Sequence, residues 1–217
     1  MPADTLLELL DAGSSRPALV SPDDGTAITH GRLAEAAGEL AGGLAAAGVS
    51  RGDRVAVVLP NGPEIVAVLF ALAMLGAATA PLNPAYTEPE FRFFLADLEP
   101  RLLVLAPGAT PAARAAAGEV AIAEIGTWDG GAAPALTANG TPLAPANAQA
   151  VGGPHDIALL LHTSGTTSRP KQVPLLQRNL TAQAAAIAAH YALGDDDVSY
   201  CAMPLFHVHG LVASTLA

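Results

Sequence analysis

Cysteine, lysine and tryptophan each occur once in this 217-residue sequence, as Cys201, Lys171 and Trp128. A lone cysteine excludes an intramolecular disulfide framework and fits a reducing compartment, so a cytoplasmic location is expected. Basic residues are scarce: 10 Lys+Arg stand against 20 Asp+Glu, a formal net charge of −10. That balance argues against nucleic acid or an anionic membrane surface as partner, since both favour a basic face. Aromatic residues make up 4% and charged residues 14%, yet 51% of the chain is hydrophobic, mostly Ala, Leu and Val. The 21 glycines and 18 prolines stay below the roughly 25–30% typical of low-complexity chains, so a sizeable core is expected rather than disorder.

The amino terminus has no basic residues before its Leu cluster and does not read as a secretory signal. One uncharged run, Ile65 to Leu82, approaches the length of a membrane span. Gly76 and Pro81 interrupt it, and no Lys/Arg cluster or aromatic belt flanks it. It reads as a buried helix, Glu64 to Leu75, closed by Gly76 and followed by a short buried strand over 77–81, with no transmembrane span.

Strand and helix patterns alternate along the chain. Apolar runs at 54–59, 101–105 and 157–161 read as buried strands. Thr29 is placed to cap a helix over 31–47. Thr87, Pro89 and Glu90 predict a capping box opening a helix over 89–98. A further helix is expected over 178–192 and a strand near 198–203. Residues 106–153 read as a loop-heavy connection in which only 119–125 looks strand-like. The alternation implies an α/β fold, a mostly parallel sheet with helices on its faces.

The segment from Thr163 to Lys171 is the most unusual. It holds five hydroxyl side chains (Thr163, Ser164, Thr166, Thr167 and Ser168), Gly165, Arg169 and the lone lysine. No Asp or Glu occurs from Ile157 to Gly194, whereas Arg169, Lys171 and Arg178 all lie there, so an acidic protein carries a local basic stretch. Phosphate binding wants these parts: a glycine that lets backbone N–H groups converge on an anion, hydroxyl donors, and a mobile ammonium. An ordinary polar hairpin turn would share much of this composition. A Walker A loop cannot be fitted, and a hydrolase nucleophile elbow fails because His162 and Thr166 stand where glycines would flank Ser164.

As an ordered string, T-S-G-T-T-S-R-P-K over 163–171 resembles the phosphate-loop motif of the adenylate-forming family, which comprises acyl- and aryl-CoA synthetases, peptide-synthetase adenylation domains and firefly luciferase. Pro204-Leu205-Phe206-His207-Val208-His209-Gly210 is similar to a second family motif. Asn61 to Glu64 and Leu75 to Pro84 are similar to a third region, and the wording of the first two motifs is closest to oxalate–CoA ligases. The resemblance implies an ATP- and Mg²⁺-dependent enzyme that turns a small-molecule carboxylate into an acyl-adenylate and passes the acyl group to CoA. It implies that Thr163, Ser164, Gly165, Thr166 and Thr167 cradle the ATP phosphates, that Lys171 is a loop cation, and that His207 lies near the acyl and adenylate pocket. Gln172 stands where the family usually has glycine.

Read this way, residues 1–217 are the first part of a family N-terminal domain. They comprise a sheet subdomain over about 16–192 and the start of a second subdomain over about 193–217, with the C-terminal domain absent. No complete catalytic set is then expected in the chain, which should be inactive alone and exposed to dimerisation or self-association through uncovered apolar surface. The alternatives are a non-catalytic nucleotide-binding or interaction module, and a hydrolase using Ser164 with His207. No metal site is assigned. The H-x-H pair His207 and His209 lacks further ligands, and Asp195 to Asp197 reads as a solvated turn.

Overall fold

A computed structural model describes residues 3–144, 151–163 and 170–217. A 3-10 turn at Leu6–Leu9 precedes a small antiparallel hairpin of β1 (Pro17–Val20) and β2 (Ala27–Thr29). The elements then run α1 (His30–Ala46), β3 (Arg54–Val58), α2 (Pro63–Leu75), β4 (Ala78–Pro81), α3 (Glu88–Leu98), β5 (Leu102–Leu105), α4 (Pro111–Ala116) and β6 (Ala121–Ile125). After them come β7 (Leu136–Ala138), β8 (Thr141–Pro142), β9 (Ile157–Thr163), β10 (Lys171–Leu176), α5 (Gln177–Tyr191) and a π-type helix at His209–Leu216.

Eight strands form one sheet in the order β10-β9-β4-β3-β5-β6-β7-β8. The five central strands, β9 to β6 in that order, are parallel, and antiparallel pairs finish both edges. The central strands are apolar throughout because both faces are covered. On one face Val55, Val57 and Leu159 pack with α1, α2, α5 and the 205–216 segment. On the other, Ala56, Val58 and Leu160 pack with α3 and α4.

Local chemistry sets the boundaries. Thr29 Oγ1 accepts from the Arg32 amide at 3.1 Å and opens α1, as expected. Thr87 and Glu90 form the capping box of α3, with the Thr87 amide donating to Glu90 Oε2 at 2.8 Å. The uncharged run is the buried helix α2, ended by Gly76 in the left-handed region at φ 69°. Among the described residues no helix is long and apolar enough to cross a membrane.

Two expectations are corrected. Residues 106–153 carry α4 and strands β6 to β8, more order than their composition suggested. The alanine-rich α4 buries Ala113 and Ala116, and β7 turns into β8 at Asn139-Gly140, both at positive φ, the hairpin signal of that dipeptide. Residues 198–203 are not a strand. Val198 and Tyr200 are 85% and 78% exposed and pair with no described strand, so their β-propensity has no ladder or packing partner to act through.

Gln177, 1% exposed, joins three segments: its Oε1 accepts from the Leu6 amide at 3.0 Å and its Nε2 donates to the Ala73 carbonyl at 2.9 Å. Gln177→Leu removes the acceptor of a buried N–H. It is expected to cost about 1–3 kcal/mol, measured as a lower urea midpoint with an unchanged slope.

Candidate functional site

In an open parallel sheet, ligands bind outside the carboxyl ends of the strands. Here the polar motifs gather at that edge. β3 runs into Asn61, β4 into Asn83, and β9 ends at Thr163. A shallow cleft of about 370 Å³ lined by Leu102, Arg114, Glu124 and Asn139 lies elsewhere on the sheet and includes none of these residues.

β9 and β10 form an antiparallel hairpin whose last paired residues are Thr163 and Lys171. Ser164, Gly165, Thr166 and Thr167, the expected phosphate-binding residues between them, lie outside the described residues. Both flanking residues are exposed. Alternation along β9 decides their face. Leu159 and Leu161 pack toward α1, α2 and α5, and Leu160 toward α3 and α4, so Thr163 and Lys171 fall on the same face as the 205–216 segment.

One step back along the ladder, His162 and Gln172 are paired and face α3. Gln172 Nε2 donates to the Asp97 carbonyl at 2.6 Å and to Asp97 Oδ2 at 2.7 Å, and His162 Nε2 meets the same Oδ2 at 3.0 Å. The His162 ring also lies edge-on to Phe94, centroids 4.7 Å apart. The Gln172 hydrogen bond, followed by that of His162, holds the Asp97 carboxyl below its ordinary range. In the sequence Gln172 stands out only as a departure from the family's glycine. Its partner is 75 residues away in the chain, so no local pattern could have revealed it.

Asn61 joins the other two motifs. Its Nδ2 donates to the Met203 carbonyl at 3.3 Å and its Oδ1 accepts from the Leu205 amide at 2.8 Å. Its neighbour Glu64 accepts from the Trp128 amide at 2.6 Å, which anchors the buried lone tryptophan to the start of α2. Gly210 closes the turn: a Cβ there would lie 2.5 Å from the Pro204 carbonyl oxygen. His207 follows that turn, exposed, its ring against Phe206 at 4.6 Å between centroids. Asp195 pairs with Arg16 at 2.9 Å and Asp197 accepts from the Gly194 amide at 2.7 Å, so both serve local contacts. Among the described residues no group of three or more His, Cys, Asp or Glu is placed to hold a metal ion.

A mostly parallel sheet with Asn61, Asn83 and Thr163 at the carboxyl ends of its strands belongs to the open α/β class, which binds ligands at that edge. Residues 10–217 match the model of the AMP-binding enzyme family, and the chain belongs to that family. It is 42% identical over 194 residues to a probable CoA ligase of Humulus lupulus, covering 88% of this chain and 37% of that protein. An oxalate–CoA ligase of Arabidopsis thaliana is 40% identical, covering 88% of this chain and 38% of the relative, and a sulfoacetate–CoA ligase of Cupriavidus necator is 35% identical over 99% and 43%. These do not favour one branch over another. The crystal structure of ATP-bound MatB from Rhodopseudomonas palustris superimposes with a TM-score of 0.80 at 29% identity, covering 99% of this chain and 43% of that one. VinN gives 0.80 at 26% identity over 100% and 55%. The chain thus spans about two fifths of the length of the curated relatives it matches.

Two outcomes are expected. Because the folded-state Asp97 carboxyl titrates below its unfolded value of about 3.9, its contribution to stability is fully present above that pH and is lost as pH falls through the folded value. Acid unfolding curves of the unaltered chain and Asp97→Asn should therefore converge at low pH and separate above it. Asn61→Ala frees the 203–205 turn, and hydrogen exchange at the Leu205 amide is expected to accelerate about fivefold or more.

Proposed function

We propose that this chain is the first part of the N-terminal domain of an ATP-dependent acid–thiol ligase, with its sheet subdomain over about 16–192 and a second subdomain beginning near 193. The observation that carries this reading is that Thr163 and Lys171, which flank the hydroxyl-rich segment in sequence, are paired where β9 ends at the carboxyl edge of the sheet. The lone lysine there falls on the face shared with the His207 segment. Family membership and the likeness to ATP-bound MatB support it.

In the proposed reaction a carboxylate oxygen attacks the α-phosphorus of ATP, and the bond from that phosphorus to the β-bridging oxygen breaks. Pyrophosphate leaves and an acyl-adenylate remains. The sulfur of CoA then attacks the acyl carbon, loses its proton, and releases AMP. The chain's part lies in the first step. Thr163, Ser164, Gly165, Thr166 and Thr167 grip the β- and γ-phosphates through amides and hydroxyls, and Lys171 neutralises charge on the departing pyrophosphate. Contacts of this charge-assisted kind contribute roughly 1.5–3 kcal/mol each. Mg²⁺ on the triphosphate would supply neutralisation of charge at the phosphate oxygens. His207, whose ring is exposed, is the proposed neighbour of the acyl group and adenylate.

Small carboxylates are the proposed substrate class, with oxalate the first to test, because the motif wording is nearest that branch and the Arabidopsis thaliana relative bears that name. The 217-residue chain alone is proposed to lack turnover. The exposed Val198, Tyr200 and Met203 favour its self-association, which sedimentation velocity would detect as a concentration-dependent species.

The decisive experiment is carboxylate-dependent ATP–pyrophosphate exchange by the complete protein, screened over oxalate, short-chain, aromatic and long-chain acids. Exchange with at least one acid is expected, and Lys171→Met should raise the KM for ATP about ten- to hundredfold, the loss of one charge-assisted contact. Exchange by the 217-residue chain alone would overturn its proposed inactivity.

A further inference from the structure

The lone lysine opens β10, an edge strand that pairs only with β9. The first residue of such a strand frays readily, because one ladder alone holds it. Two side chains one position back counter this. The Gln172 amide reaches the last turn of α3 and satisfies both the Asp97 carbonyl, one of the acceptors a helix end leaves open, and the Asp97 carboxylate. His162, opposite Gln172 on β9, binds the same carboxylate oxygen. Helix α3 is fixed through the buried Phe91, Phe94, Leu95 and Leu98. An acidic side chain at a helix carboxyl terminus opposes the helix dipole, so Asp97 is poorly placed for the stability of α3 itself. The Arg54 guanidinium already satisfies the neighbouring Leu98 carbonyl at 3.0 Å.

We infer that Asp97, His162 and Gln172 form a positioning clamp that fixes the Thr163 and Lys171 ends of the hairpin loop for a triphosphate tail. The inference rests on the nucleotide reading of that loop. None of the three is a catalytic residue, because His162 and Gln172 leave the sheet on the face opposite Thr163 and Lys171. The clamp acts through the backbone of adjacent residues. With it intact, the loop's ends are set before ATP arrives, and less ordering is left for binding to supply.

The test uses the complete protein and ATP itself. Gln172→Met removes both donated hydrogen bonds while keeping the length of the side chain. The double variant Asp97→Ala with Gln172→Met removes both partners and closes a double-mutant cycle. ATP affinity by titration calorimetry, KM for the carboxylate and melting temperature are measured on each, with Lys171→Met as reference. The clamp predicts that Gln172→Met weakens ATP binding about tenfold. Carboxylate KM should stay within about twofold, and the double variant should bind ATP no more than about twofold worse than Gln172→Met, because both changes break one clamp. ATP binding that responds to Lys171→Met but not to Gln172→Met overturns the clamp alone. Equal loss of ATP and carboxylate binding together with a fallen melting temperature also overturns it, as a general structural role would. Indifference of ATP binding to Lys171→Met overturns the nucleotide reading, and the clamp with it.

Discussion

A parallel sheet leaves two apolar faces to cover, and the rest of this structure follows from that requirement. α1, α2 and α5 cover one face of the five central strands, and α3 and α4 cover the other. β3, β4 and β5 therefore leave the core at their carboxyl ends, turn, and return as α2, α3 and α4, whereas β9 is followed by the antiparallel β10. The carboxyl ends of β3, β4 and β9 accordingly lie at one edge. Polar side chains such as Asn61, Asn83 and Thr163, which could not be accommodated within the core, collect there. The site is a consequence of covering the sheet.

Within that frame a few polar side chains tie distant segments at low cost in area. Asn61 holds the turn before His207 from a distance of more than 140 residues in sequence, and Gln177 ties Leu6 to the end of α2. The Arg51 guanidinium meets Asp156 at 3.0 Å, joining the entry to β3 with the entry to β9. Each contact satisfies a group that a neutral or apolar substitute would leave unpaired, which gives such residues more influence on geometry than their size suggests. Gly152 shows the same constraint in reverse. A Cβ there would fall 1.9 Å from the Ala73 carbonyl oxygen, so the approach of the 151–153 segment to α2 needs a residue without one.

Much of the fold was legible because its signals are local. The Thr29 cap, the Thr87–Glu90 box and the Gly76 stop depend on residues three or four apart, and each appears where the pattern placed it. The apolar runs at β3, β5 and β9 were long enough to mark buried strands. The errors occurred where the signal was not local. Val198 and Tyr200 have strand propensity but are exposed and pair with no described strand, and α4 is stabilised by what Ala113 and Ala116 bury rather than by its six residues. At the site, the lysine and the hydroxyl run stood out by composition, whereas Asp97 looked like one more surface acid on a helix.

By itself, the sequence determined the alternation of strands and helices, the helix caps, the acidic surface with its single basic stretch, and the family motifs, since all of these are written in neighbouring residues. Only the tertiary structure decided the order of the strands, the face on which Lys171 stands, and the meeting of Asp97 with His162 and Gln172. Those depend on which apolar faces pack together, and packing pairs residues by their position in space whatever their separation along the chain.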